Sequence, residues 1–202
     1  MIPKISLAIP YHQTTKTAFF LSRLLKSIDE QTFKEYEVVL TNEEGMAHNH
    51  NAAILKSKGE IIKMIQMDDY FAYPDALKDT VKAFELNDDK KWLISPSLHV
   101  QEERVGGLHE PEWTMDIYTG NNKLGSISTL AFRKKNQLLF EEPLTWCVDV
   151  ELYYRMYLLY GMPMILNKPT VVIDIRNDRL TNSLSEELKA NEVEYLKKKY
   201  GK

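Results

Sequence analysis

A chain of 202 residues, 44% apolar and 27% charged, has the length and composition of one ordinary globular domain with a substantial core. A net charge of -3 and a pI near 6.0 exclude an extended basic surface that tracks phosphates, so no stable nucleic-acid partner is expected. The single cysteine, Cys147, excludes an intramolecular disulfide and a cysteine metal cluster, and neither a signal peptide nor an apolar run of the ~18–20 residues that span a bilayer is read.

Residues 4–9 read as a first strand, stopped by Pro10. Leu21, Leu24, Leu25 and Ile28 recur at i, i+3, i+4 and i+7, the stripe of an amphipathic helix. Residues 37–40 form a second strand, followed by polar Thr41, Asn42, Glu43, Glu44 and Gly45. A second helix is expected over 48–58, with Gly59 as its C-cap. Ile61, Ile62, Met64, Ile65 and Met67 then read as a buried strand running straight into Asp68 and Asp69. Pro74 fits the first turn of a third helix, which carries Leu77, Val81 and Phe84 inward.

Residues 92–95 are a further strand, and 96–127, with Gly106, Gly107, Pro111 and Gly120, show little periodicity and read as a long binding loop or lid. A strand is expected over 128–133. Asp149 opens a helix carrying Leu152, Met156 and Leu159, which Gly161 and Pro163 terminate. After a strand over 170–175, Ser183 and Glu186 form a capping box for the last helix, which ends in Lys197, Lys198 and Lys199 near its negative dipole end.

Alternating strands and helices over the first 95 residues argue for an α/β fold with a parallel sheet and right-handed crossovers. Its strands end at Pro10-Tyr11, Asn42-Glu43 and Asp68-Asp69, which places these residues along one sheet edge and in one crevice. In open α/β sheets that edge is where ligands bind. A carboxylate pair at the end of a buried strand is costly to desolvate, and a hard cation with a phosphate ligand would give it a purpose.

Four segments together resemble the inverting glycosyltransferases of family 2, which have the GT-A fold. ISLAIPYH (5–12) is similar to that family's first strand and turn, and LLKSIDEQTFKEYEVVLTN (24–42) to its first helix and second strand. HNHNAAILKSKGEIIKMIQMDDYFAYPDAL (48–77) is similar to its Ala-Arg-Asn helix, Gly-Glu turn and Asp-x-Asp motif, and VDVELYYRM (148–156) to its Glu-Asp segment. The resemblance implies a single GT-A domain over 1–202, with a mainly parallel central sheet flanked by helices. About 1–95 would bind the nucleotide sugar, about 96–180 would face the acceptor, and 183–202 would form the C-terminal helix.

It further implies metal-dependent inverting transfer of a sugar from a nucleoside diphosphate, UDP-linked, to a hydroxyl of a glycan or other acceptor, with Mn²⁺ or Mg²⁺ as the cation. Asp68 then corresponds to the metal ligand, while Asp69 is either a second ligand or a brace for the turn. Asp149 corresponds to the general base, with plain helix capping as its alternative role. Pro10, Tyr11, Asn42, Glu43, Asn51, Gln66 and Met67 fall at positions that would contact the donor. Tyr11 could stack on the base, and Asn51 shares a helix face with Ile54 and Leu55 that should turn it inward.

The chain departs from the family pattern at Gln66, where the family has the first Asp of its motif, and at Asn42, His50 and Val148. His48 and His50, at i and i+2, do not share a helix face, so no paired histidine metal site is expected. Trp113 and Trp146 suit the apolar face of a sugar, Trp146 the better because it precedes Asp149 by three, and Arg176 could meet the diphosphate. Two other functions compete. A sugar-1-phosphate nucleotidyltransferase would want a Gly-rich phosphate loop, and residues 5–20 contain no glycine. A non-catalytic sugar-nucleotide or glycan-binding module is motivated by Gln66, Asn42 and Val148. The lack of a membrane helix argues against a processive polysaccharide synthase and for a cytoplasmic protein.

Overall fold

The structure, a computed structural model, describes residues 2–101, 104–176 and 180–201. The first half alternates β1 (Ile5–Pro10), α1 (Thr17–Asp29), β2 (Tyr36–Thr41), α2 (Met46–Lys56) and β3 (Ile61–Met64). Next come β4 (Tyr70–Phe71), α3 (Ala76–Leu86), β5 (Trp92–Ile94), β6 (Ser97–Gln101), β7 (Arg104–His109) and β8 (Leu130–Arg133). The chain finishes with α4 (Val148–Tyr160), β9 (Met164–Ile165), β10 (Val171–Asp174), α5 (Leu180–Ser183) and α6 (Glu186–Tyr200). Among the described residues no helix is long and apolar enough to cross a membrane.

A six-stranded sheet runs in the order β2-β1-β3-β8-β5-β9, and only β8 opposes the direction of the others. The chain is therefore α/β with a mainly parallel central sheet. Its strands alternate apolar residues between two cores, as a sheet covered on both faces must. Ile5, Leu7 and Ile9 pack with Leu24 and Ile28 of α1 and Leu77, Val81 and Phe84 of α3. Ala8, Ile62 and Met64 face Ala53 and Ile54 of α2, Leu152 and Met156 of α4 and Leu196 of α6.

A second sheet, β4-β10-β6-β7, holds β10 parallel to β6 and antiparallel to β4. Its β6 and β7 lie within 96–127, expected as loop. Among the described residues β7 pairs only with β6, antiparallel and close in sequence, while β6 also pairs with β10 some seventy residues away, and such non-local pairing leaves little periodicity in a short segment. The strand expected over 170–175 is β10 and belongs to this sheet, not to the central one. Likewise the start of 128–133 is a 3₁₀ turn, Ile127–Thr129, and only Leu130–Arg133 pairs.

Three further expectations are corrected. β3 stops at Met64, because Ile65 makes its last backbone bond to Ala8 and Gln66 then accepts the Asp69 N–H in a turn. The carboxylates thus stand on a turn rather than on the strand. The α6 cap is Ser185, whose hydroxyl accepts the Leu188 N–H at 3.2 Å, while Ser183 belongs to α5. Gly59 is no helix cap, since Ser57 follows α2 and donates its hydroxyl to the Ala53 carbonyl.

Gly59 instead lies against β1. A Cβ on it would stand 2.6 Å from the Ser6 nitrogen and 2.8 Å from the Ile5 carbonyl carbon, both backbone atoms that cannot rotate away. Its own N–H donates to the Ser6 hydroxyl at 2.7 Å. Gly59→Ala should therefore lower unfolding stability by about 1–3 kcal/mol, the usual range for overpacking. Urea denaturation reads this directly, and a wild-type midpoint would show that β1 yields to the methyl group.

Candidate functional site

The ends of β1, β2 and β3 open onto a crevice of about 370 Å³. Pro10 and His12 line it from the first strand, Glu43 from the second, and Gln66, Met67 and Asp68 from the turn after the third. Asn49 of α2 fastens two of these ends together. Its Nδ2 donates to the Tyr11 carbonyl at 2.8 Å, and its Oδ1 accepts the Glu43 N–H at 3.0 Å. The Tyr11 N–H in turn donates to the Thr41 carbonyl, which closes the corner.

Asp68 presents a partly exposed carboxylate, with Oδ2 3.2 Å from Arg176 Nη2. Arg176 also stands 3.4 Å from the Asp174 carboxylate, and its guanidinium lies 4.1 Å over the Phe20 ring. Arg23 supports the same corner from α1, donating to the Asp68 carbonyl at 2.5 Å and to Asp174 at 2.9 Å. Asp69 faces the other way. It is 2% exposed and accepts the Asp174 N–H at 3.2 Å, which ties the turn to the second sheet, and it does not line the crevice.

Among the described residues no three His, Cys, Asp or Glu side chains gather into a complete metal cage. One crevice-facing carboxylate still suits a hard cation of the kind that takes one or two carboxylates and completes its shell with phosphate oxygens and water. Asp68 fits that role provided that Arg176 releases it.

A smaller cavity of about 90 Å³ adjoins the crevice, and Met46, His50, Gln66 and Thr181 line both. Asp149 lines the far part with Trp146 and Ser126. Its Oδ2 accepts from Asn122 Nδ2 at 2.8 Å and its Oδ1 from the Val150 N–H at 2.8 Å. Burial, with Asp149 next, holds the phenol of Tyr153 well above its ordinary pKa, so it stays protonated behind the carboxylate. His50 is pushed down to about 4 by burial, although its bond to the Met46 carbonyl opposes this. It is neutral at pH 7 and brings no positive charge to the crevice.

The remaining expected residues divide. Pro10, Glu43, Gln66, Met67 and Asp68 share the crevice, with Glu43 also 3.1 Å from Lys56. Tyr11 is half-buried and joins the corner through its backbone, while Asn42 is exposed beside it; neither side chain lines the crevice. Asn51 is buried as expected, but it exchanges two bonds with the Phe140 backbone, at 3.0 and 2.7 Å, and so braces the wall of the smaller cavity. Trp113 packs on Tyr157 and Trp92, away from both cavities.

Asn49, Asn122 and Ser126 were not picked out by sequence reasoning. Asn49 carries the same helical signal as Asn51, a polar residue among inward positions, and both are buried. Asn122 sits in an irregular segment where only its packing against α4 reveals it.

No protein-family model matches the sequence, nor does any curated protein. Solved structures do resemble the fold. One is residues 1–349 of S. aureus TarS in complex with UDP-GlcNAc, at 19% identity over 90% of this chain and 61% of that one, TM-score 0.69. The same protein in complex with UDP matches at 18% identity over 98% of this chain and 72% of that one, TM-score 0.64. A third is the mannosyltransferase PcManGT from Pyrobaculum calidifontis in complex with GDP-Man and Mn²⁺, at 14% identity over 86% of this chain and 57% of that one, TM-score 0.58. The chain thus spans 61% and 72% of the TarS chain in its two complexes and 57% of PcManGT. At these identities the likeness is one of architecture, and it establishes that the chain has the GT-A glycosyltransferase fold.

Proposed function

We propose that this chain is a single-domain inverting glycosyltransferase of family 2 type, which moves a sugar from a UDP-linked donor to an acceptor hydroxyl with a divalent cation at Asp68. The observation that carries this reading is that two adjoining cavities share Met46, His50, Gln66 and Thr181 as a common wall. On this reading the Asp68 side takes the diphosphate, and Asp149, in the adjoining cavity, is the base. Solved structures of similar fold are complexes with UDP-GlcNAc and with GDP-Man and Mn²⁺, which supports a nucleotide sugar as the donor class.

On this reading the nucleoside lies between Pro10 and Glu43, and the Gln66 amide takes the place of a carboxylate next to the ribose. Asp68 would hold Mn²⁺ or Mg²⁺, which would supply positive charge to offset the negative charge developing on the departing diphosphate. Asp149 accepts the proton of the acceptor hydroxyl as that oxygen bonds to the anomeric carbon. The bond from carbon to diphosphate oxygen breaks with its electron pair leaving on UDP, so the anomeric centre inverts. Asn122 and the Val150 N–H hold the Asp149 carboxylate in place for this step. Residues 1–95 serve the donor and 96–180 the acceptor.

The Asp68–Arg176 ion pair favours a second reading, in which Arg176 alone counters the diphosphate and no cation is needed. Calorimetric titration of UDP separates the two. Metal-dependent transfer expects UDP binding that needs Mn²⁺, disappears in EDTA and weakens at least about tenfold in Asp68→Asn. Binding that persists in EDTA and is lost in Arg176→Ala selects the arginine reading.

Asp149→Asn should lower turnover of UDP-GlcNAc, followed as release of free UDP, by about 10²–10⁴-fold while the UDP dissociation constant stays within about threefold. Wild-type turnover in that variant would remove Asp149 from the role of base.

A further inference from the structure

His50 is 5% exposed in α2, among Ala47, Asn51, Ala53 and Ile54, and its ring packs on Phe140 with the two centroids 5.0 Å apart. An apolar side chain would fill that space without bringing two polar nitrogens that need partners. One of the two is satisfied inside the helix. Nδ1 stands 2.7 Å from the Met46 carbonyl one turn earlier, and because a carbonyl only accepts, Nδ1 carries the proton. Burial holds the ring's pKa down to about 4, so at pH 7 Nε2 is the bare nitrogen, an acceptor with a lone pair and no hydrogen.

Among the described residues Nε2 has no hydrogen-bond partner, yet it is not sealed off as the orphaned Nε2 of His109 is. It keeps access to open space, and the spaces that His50 lines are the crevice and the adjoining smaller cavity. Gln66 stands on the same shared wall with an amide that donates and accepts, and Thr181 adds a hydroxyl. The wall between the Asp68 side and the Asp149 side is thus neutral, and it carries an acceptor that the protein itself does not use. A phosphate or carboxylate oxygen only accepts, and it would meet the lone pair of Nε2 with one of its own. A hydroxyl, which can donate, matches it.

We propose that His50 is a specificity-determining residue that accepts a hydroxyl of the donor sugar through Nε2. The inference rests on the reading of the crevice as a nucleotide-sugar site. On that reading the sugar lies between the diphosphate at Asp68 and the base Asp149, against the wall that His50 shares between the two cavities. A site built to take a hydroxyl loses binding when either partner of the bond is removed, because the buried group left behind has exchanged water for nothing. The contribution of His50 should therefore appear with the sugar and be absent with UDP alone.

The test is ¹⁵N NMR of the wild-type protein labelled at histidine, with Mg²⁺ as the cation so that the spectrum stays diamagnetic. The His50 resonances are assigned by their loss in His50→Phe. At pH 7 the free protein should show His50 as the Nδ1–H tautomer. UDP should leave the Nε2 resonance in place, and UDP-glucose or UDP-GlcNAc should move it toward the protonated position, as an accepted hydrogen bond does. An Nε2–H tautomer, or a response no larger with either sugar nucleotide than with UDP, overturns the proposal.

Calorimetry supplies the second arm. His50→Phe keeps a ring against Phe140, and it should weaken the sugar nucleotide that moves Nε2 by at least about fivefold and UDP by less than about twofold. An equal loss for both ligands, or for neither, overturns the proposal. Should His50→Phe fail to fold, the wild-type spectra decide alone, with His50 assigned by through-bond correlation to its backbone. A wild-type protein that binds neither UDP nor a UDP-sugar removes the nucleotide-sugar reading and this inference together, whereas UDP-sugar binding with an unmoved Nε2 removes the role of His50 only.

Discussion

The parallel register of β1 is the constraint on which the crevice depends. Pro10 pairs with Thr41 and Ala8 with Met64, so three strands end within a residue or two of one another. Their loops leave the sheet side by side because the backbone ladder leaves them no alternative. β1 is buried along its whole length, and a slip of one residue would exchange Ile5, Leu7 and Ile9 with Ser6 and Ala8 between the two cores. The register is thereby fixed by packing, and the site inherits its geometry from it. Gly59 and Asn49 are the local expressions of this constraint, one letting the chain approach β1 and the other tying two strand ends together.

Buried charge is the second theme, and each instance serves as a joint between elements. Lys63 is 1% exposed in β3 and reaches the Ser128 carbonyl, which draws the 3₁₀ turn before β8 against the floor of the smaller cavity. Burial lowers its pKa to about 7, with Asp69 opposing the fall. Asp69 joins the turn after β3 to β10. Glu151 and Glu192 join α4 to α6. Apolar packing would secure these elements equally well, but it would not specify them so narrowly, because directional bonds select one arrangement from many similar ones.

The central half of the fold was legible because its signals are local. β1, α1, β2, α2 and β3 each carry a period that their own side chains satisfy, and the convergence of their ends follows from topology alone. The second sheet was not legible, since β6 earns its place by pairing with β10 across a long stretch of chain. At the site, Asp68 and Asp149 were reachable through a resemblance in motif and spacing. A brace role for Asp69 was one of the two readings open to it, but its partner was not legible, because that depends on which carboxylate the turn aims at the Asp174 N–H. Asn49 and Asn51 make the same point from a helix: both are buried, yet one closes the crevice corner and the other braces a wall. Periodicity reports that a side chain points inward and is silent on what it meets there.

Charge balance at the donor corner connects the two readings of Asp68. Arg176 meets the carboxylates of Asp68 and Asp174, and Arg23 meets the Asp174 carboxylate and the Asp68 carbonyl, so among the described residues both guanidinium groups are paired with acidic partners. A diphosphate entering alone would meet guanidinium groups already committed to carboxylates, and each bond it gained would break one of theirs. On the proposed reading Asp68 would hold a divalent cation, which would supply positive charge for the phosphate oxygens, and Arg176, stacked on Phe20, would then have donors free to meet them. The Asp68–Arg176 pair is on this view the resting state of a donor site, since it keeps both groups satisfied and in register until a ligand brings the charge that separates them.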